Sequence, residues 1–193
     1  MTLSEDFCAR DVVTVAQDLL GRHVHLGPVT LRVTETEAYR WPGDTACHAR
    51  HGQTPRTAPL FGPPGRAYVY LCYGIHQMLN LVTGPDGEAQ AVLVRSVEVV
   101  AGESIVLERR NGRRARGWLA GPGKVGAALG IDTSWSGVSV VDSALTLSAG
   151  TPVTEVLVGP RVGIDFAEPA HRALPWRFAD AASASVSHRR SLR

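Results

Sequence analysis

Two carboxylates stand two residues apart at the end of an apolar run, in the segment Glu35-Thr36-Glu37-Ala38-Tyr39. Side chains of a strand alternate between its faces, so a regular strand puts Val29, Leu31, Val33, Glu35, Glu37 and Tyr39 on one row. On that reading the apolar row turns into Glu, Glu, Tyr without a register break. A carboxylate on a core-facing row is costly unless it is paired or opens into a cavity. The alternative is a bulge in the strand, or exposure of both acids near its end.

All four tyrosines, Tyr39, Tyr68, Tyr70 and Tyr73, fall within residues 39–73. Aromatic walls suit a planar ligand, because stacking contributes about 1–3 kcal/mol per nucleobase. Tyr68 is read as an ordinary strand residue, since tyrosine is a good strand former. Tyr73 precedes Gly74 at an expected hairpin tip, where a side chain can protrude and wedge into a base stack. His48 and His51 flank Arg50 with Cys47 adjacent, but no second pair of ligands is near, so a metal-free site is expected. Cys8, Cys47 and Cys72 are odd in number and widely spaced, which speaks against a disulfide framework or a thiolate zinc site. Lys124 is the only lysine beside nineteen arginines. A Schiff-base mechanism therefore has one side-chain amine to draw on.

These residues need elements to aim them. Residues 11–20 place Val12, Val13, Ala16, Leu19 and Leu20 on one helical stripe that Gly21 stops. Gly27-Pro28 turns the chain into the long strand that carries both glutamates. The segment from Arg40 to Arg66 is a Pro-, Gly- and Arg-rich loop, long enough to be functional. AYVYLCY, Gly74 and IHQMLNLVT read as two strands around a tight connection. Gly84-Pro85-Asp86-Gly87 is a turn before a strand over 89–97, and 99–110 reads as a helix ended by Asn111-Gly112. A second helix opens at Gly121-Pro122-Gly123-Lys124, where proline is favoured and free N–H groups suit a phosphate. Residues 138–147 and 153–164 read as strands. The sum is an α+β fold, a single compact domain over residues 1–193 with a mainly antiparallel curved sheet and flanking helices.

Composition narrows the class. At 193 residues and 44% hydrophobic content the chain is long enough to bury a core. It has no apolar run of membrane-spanning length, and its N-terminus is acidic and polar, unlike a secretory leader. A cytoplasmic monomer is expected, nucleoid-associated if the source is bacterial. Net charge is only +2, but residues 40–124 hold eleven Arg or Lys against six Asp or Glu, and the remainder nine against twelve. That asymmetry is compatible with a basic face on a nucleic acid.

The segments VTETEAY (33–39), DTACHARHGQTPR (44–56), PGRAYVYLCYGIHQMLN (64–80), AVLVRSVEV (91–99), GPGKVGAALGI (121–131), PRVGI (160–164) and PWRF (175–178) span nearly the whole chain in order. Together they resemble the alkyladenine (3-methyladenine) DNA glycosylases of the vertebrate and bacterial type. The resemblance implies a compact α/β enzyme that binds the DNA minor groove through an inserted hairpin, with no metal or cofactor. It implies that Glu37 is the general base and that Arg95 helps position the attacking water and the local phosphate. Tyr39, His48 and Tyr70 match the walls around a flipped base, with a polar contact from His48. Asn80 matches the residue that crowds the exocyclic amine of guanine. Tyr73 matches the wedge, and Lys124 a DNA-contacting turn. The chain departs from relatives at His76, where some carry an aromatic, and in its C-terminal ASASVS, which lacks a glycine often found there.

The implied reaction is hydrolysis of the N-glycosidic bond of alkylated purines such as 3-methyladenine and 7-methylguanine, with hypoxanthine or ethenoadenine as further substrates. A base in a duplex must be extruded before such a reaction. Two other readings compete: a noncatalytic nucleic-acid-binding module, and a metal-assisted hydrolase built on His48, His51 and Glu35.

Overall fold

The computed structural model describes residues 2–193. The chain begins with two short helices, α1 (Glu5–Cys8) and α2 (Val12–Asp18), followed by strands β1 (His23–Leu26) and β2 (Val29–Trp41). Asp11 caps α2 by accepting from the Val13 and Thr14 N–H groups. A loop with two 3-10 turns, His48–His51 and Ala58–Phe61, leads to the hairpin β3 (Ala67–Cys72) and β4 (His76–Val82). Then come β5 (Ala89–Ala101), α3 (Glu103–Arg109), α4 (Pro122–Leu129), β6 (Leu145–Ser148), β7 (Val156–Gly159), α5 (Pro169–Arg172) and β8 (Arg177–Asp180). Among the described residues, eight strands join in one curved antiparallel sheet in the order β3-β4-β5-β2-β1-β6, with β8 pairing β2 and β7. No described helix is long and apolar enough to cross a membrane.

The α+β class and the antiparallel sheet agree with the sequence reading, but several boundaries do not. The segment 99–110 is not one helix. Strand β5 runs on to Ala101, and the helix starts only after Gly102, whose φ is +78°. A Cβ there would lie 2.6 Å from the Pro28 carbonyl oxygen, so the turn admits only glycine. The strands expected over 138–147 and 153–164 shrink to Leu145–Ser148 and Val156–Gly159. The segment PWRF, given no element from periodicity, opens β8 with its Arg177 and Phe178.

The largest correction lies in β2. Val33 pairs with Val97, Glu35 with Ser96, and Thr36 with Val94. Thr34 is thus an extra residue in β2, and Arg95 an extra residue in β5. These two bulges change which side chains face the core. Before them, Val29, Leu31 and Val33 of β2 and Val97 of β5 enter the main core; after them, Ala38 of β2 and Val92 and Val94 of β5 do. Thr36 also points to that side, donating to the Ala16 carbonyl of α2 at 2.7 Å. The row of apolar residues therefore does not continue into the glutamates. A register break turns Glu35, Glu37 and Tyr39 to the opposite face of the sheet.

Helix α4 packs on β4 and β5. Gly126 makes this close approach possible, since a Cβ there would lie 2.1 Å from the Gln77 carbonyl oxygen. The packing brings Pro122, at the start of α4, to the mouth of a pocket on the glutamate side of the sheet.

Candidate active site

The pocket has a volume of about 470 Å³, within the range of small-molecule sites. Tyr39, His48, Tyr68, Tyr70, Asn80 and Arg95 all line it. The sheet supplies most of these: Tyr39 from β2, Tyr68 and Tyr70 from β3, Asn80 from β4 and Arg95 from the bulge of β5. His48 comes from the loop after β2. The hairpin adds Tyr73, and the loop after β7 adds Val162 and Phe166.

Glu35 and Glu37 are both fully buried, but they are committed to different degrees. Oε1 of Glu35 accepts from Arg95 Nε at 3.2 Å, Arg177 Nη1 at 3.0 Å and Ser187 Oγ at 2.9 Å. Its Oε2 accepts from Ser96 Oγ at 2.6 Å and the Ser187 N–H at 2.7 Å. A carboxylate offers roughly four acceptor positions, so Glu35 is saturated. Glu37 Oε1 accepts the Val162 N–H at 2.8 Å and pairs with Arg95 Nη1 at 3.2 Å. Its Oε2 accepts only the Tyr39 hydroxyl, at 2.7 Å. Glu37 thus keeps an acceptor position on Oε2, and its three partners, Tyr39, Arg95 and Val162, all line the pocket. Glu37 itself stands one layer behind that wall.

Arg95 bridges the two carboxylates. Burial opposes its charge, yet the adjacent Glu37 and Glu35 outweigh that effect and hold the guanidinium above its usual range. Tyr39 is kept protonated: burial and then the Glu37 carboxylate push its hydroxyl well above the ordinary value. The ring of Tyr39 lies under the Arg161 guanidinium, 4.6 Å from the centroid. Arg161 is anchored by a two-pronged pair with buried Asp44, at 2.6 and 2.8 Å, and donates to the Ala38 carbonyl at 2.9 Å.

The opposite wall is aromatic. His48 meets Tyr70 edge to face at 4.5 Å between centroids, and Tyr68 and Tyr70 are tilted at 5.5 Å. His48 Nδ1 shares a hydrogen bond with the Tyr68 hydroxyl at 3.0 Å. Tyr68 therefore does more than extend a strand, as its propensity alone suggests. Burial, then Arg56 and Arg50, lower the His48 imidazole to about 4, so it is neutral at physiological pH. Asn80 is buried and spends both amide protons on the Tyr68 and Met78 carbonyls, at 3.0 and 3.2 Å. That fixes it rigidly in the pocket floor.

Two expected DNA contacts lie outside this layer. Tyr73 is 89% exposed at the hairpin tip, with φ of +51°, and Ile75 beside it is 73% exposed. Lys124 Nζ donates to the Gly117 carbonyl at 2.9 Å and does not line the pocket. Burial and then Arg110 lower its ammonium below the usual value. The metal-site reading fails on geometry, because Glu35 faces Arg95, Arg177, Ser96 and Ser187 rather than either histidine. Among the described residues, no three His, Cys, Asp or Glu side chains converge as ligands.

Residue-level reading of the sequence missed Asp44, Arg161, Arg177 and Ser187, the groups that hold Tyr39 and Arg95 in place. Asp44, Arg161 and Arg177 carry a signal, since all three fall in segments that carry the resemblance. Ser187 carries none beyond the serine alternation of ASASVS.

Comparison with known proteins gives one consistent picture. Residues 6–184 match the family model described as methylpurine-DNA glycosylase. The chain is 58% identical over 174 residues to a putative 3-methyladenine DNA glycosylase of Nitrosococcus oceani, covering 90% of this chain and 87% of that protein. It is 49% identical over 185 residues to the DNA-3-methyladenine glycosylase of Arabidopsis thaliana, covering 94% and 72%. A putative 3-methyladenine DNA glycosylase of Methanocella arvoryzae is 44% identical over 194 residues, covering 97% and 96%.

Proposed function

Because the chain belongs to the methylpurine-DNA glycosylase family and is a DNA glycosylase of the 3-methyladenine type, we propose that it extrudes an alkylated purine from duplex DNA into the aromatic pocket and hydrolyses its N-glycosidic bond, with Glu37 as general base. The observation that carries this reading is the uncommitted acceptor position on Glu37 Oε2, behind a wall of Tyr39, Arg95 and Val162. Glu35, with five donors on its two oxygens, is the weaker candidate.

Alkylation at N3 or N7 makes a purine cationic. Such a base stacks well on Tyr39 and Tyr70 and is attracted to their faces by about 0.5–2 kcal/mol. Neutral His48 adds no charge to repel it. The bond from C1′ to the purine nitrogen breaks, and its electron pair leaves with the base. That base departs neutral and needs no proton. The sugar left behind resembles an oxocarbenium ion, which a nearby carboxylate stabilises. Water entering from the pocket forms the new bond to C1′ and gives its proton to Glu37. Arg95 holds the carboxylate in place through Nη1, 3.2 Å from Oε1. Neutral lesions such as hypoxanthine or ethenoadenine need a proton on the leaving base, so they react more slowly. Lys124, held on the Gly117 carbonyl, is not placed for a Schiff base, so the reaction ends at an abasic site without strand cleavage.

The test is incubation with methylated duplex DNA and identification of any free base released. Release of 3-methyladenine or 7-methylguanine without strand nicking is expected. Glu37→Gln should bind the lesion duplex and release nothing. Near-normal single-turnover rates in Glu37→Gln move the role away from this residue.

A further inference from the structure

The C-terminal segment touches the site from behind. Ser183, Ser185 and Ser187 alternate along it, are nearly buried, and each bonds to the doubly bulged region of β2 and β5. Ser183 Oγ donates to a Glu98 carboxylate oxygen. Ser185 Oγ donates to the Val97 carbonyl at 2.7 Å, and the Ser185 carbonyl accepts from Thr34, the extra residue of β2, at 2.6 Å. Ser187 serves Arg95, the extra residue of β5. Its Oγ accepts from Arg95 Nε and Nη2 at 3.3 and 3.0 Å and donates to Glu35 Oε1 at 2.9 Å. Its N–H donates to Glu35 Oε2 at 2.7 Å.

A bulged residue is left without a ladder partner, so something else must fix its direction. We propose that the serine strap 183–187 is a positioning device, in which Ser187 and Glu35 grip the Nε and Nη2 edge of Arg95 and thereby aim Nη1 at Glu37. Neither residue touches substrate. Their action on the reaction passes through Arg95, and it rests on the proposed role of Glu37. The groups that set the charge around Glu37 are Glu35 and Tyr39 on β2, Arg95 on β5, Arg177 on β8, Arg161 after β7 and Tyr70 on β3.

The strap gives opposite effects for two variants. In Ser187→Ala, Arg95 loses its grip and pairs less firmly with Glu37. With that ion pair loosened, the acid limb of the pH–rate profile moves to higher pH. In Glu35→Gln a competing negative charge disappears, Arg95 is freer to serve Glu37, and the acid limb moves to lower pH. Misplacement of a positioning group costs about ten- to a hundredfold in rate, so single-turnover release should fall by that factor in Ser187→Ala. Affinity for lesion duplex should stay within about twofold, because no DNA contact is removed. Ser187→Cys, which keeps a small donor, should fall between wild type and Ser187→Ala. Ser185→Ala is the control: it loses the bond to Val97 but leaves Arg95 alone, so it should lower thermal stability without moving the acid limb. Equal stability losses in Ser185→Ala and Ser187→Ala, with the acid limb unmoved in both, overturn the proposal. An active Glu37→Gln overturns instead the reading beneath it.

Discussion

His48 and Asn80 are polar residues that the pocket holds in one state. Burial, then Arg56 and Arg50, keep His48 neutral down to about 4, against an ordinary value of 6.5. The unfolded chain therefore binds a proton on this ring at a pH where the folded chain does not. Stability from neutral His48 is complete above about 6.5 and is lost as pH falls toward 4. Wild type should lose more melting temperature between pH 7 and pH 5 than His48→Gln does; parallel curves would mean that the ring titrates normally. Asn80 is rigid for a different reason, since both its amide protons go to backbone carbonyls. If Asn80 is the residue that crowds guanine, a side chain so held would not yield to its exocyclic amine. Asn80→Ser shortens it, and release of normal guanine from undamaged DNA should rise. Unchanged selectivity removes Asn80 from the specificity determinants.

The paired bulges are the element that the sequence hides. Val29, Leu31 and Val33 alternate cleanly, and nothing in Thr34 or Arg95 announces an extra residue, because both types fit an ordinary strand. Period-two counting therefore picked out Glu35 and Glu37 but put them on the core-facing row, from which the register shifts turn them away. The strands β2 to β5, the helix at Pro122 and the hairpin around Gly74 were legible, since they follow from alternation and from local turn chemistry. The groups behind the site were not, because Asp44 with Arg161 and Glu35 with Ser187 are joined across more than a hundred residues. The hairpin tip makes its own prediction. Tyr73 and Gly74 both have positive φ, and the Ile75 N–H closes the turn on the Cys72 carbonyl. A tyrosine held there costs about 1–3 kcal/mol of backbone strain and gains almost no burial in return. Tyr73→Ala should leave the melting temperature nearly unchanged, and Tyr73→Gly should hold or raise it. A buried tyrosine would instead cost about 3 kcal/mol or more. If the ring fills the hole left by an extruded nucleotide, both variants should weaken lesion-duplex binding and lower the flipped fraction reported by a fluorescent base analogue. Loss on a single-stranded substrate should be smaller, because no stack is held open there. Equal losses on both substrates would make Tyr73, which also lines the pocket, a contact to the base rather than a wedge.

Across the whole molecule the charge is lopsided in a way that net charge conceals. Residues 109–131 hold five arginines and Lys124 with no acid among them. Two of the arginines are spoken for: Arg109 donates to the Ala128 and Leu129 carbonyls at the end of α4, and Arg114 pairs with Glu103 at 2.8 Å. Arg113 and Arg116 are exposed and pair with no carboxylate among the described residues. Their loop runs into Gly117 and on to Pro122, which lines the pocket, and a duplex seated over the pocket would be expected to meet it. Each phosphate neutralised releases counterions, and log K falls with log salt at a slope of about −0.9 per contact. Affinity for a lesion duplex should therefore fall steeply as salt rises. The double variant Arg113→Ala with Arg116→Ala should flatten that slope by up to about 2. The loss should be similar on damaged and undamaged duplex, because phosphates carry no sequence or lesion identity. Melting temperature should not move, since neither side chain is buried or paired. Base release measured at saturating enzyme should also be preserved, which separates a docking contact from a catalytic one. A slope unchanged in the double variant would place the duplex on another face, with the hairpin rather than this loop as its nearest support.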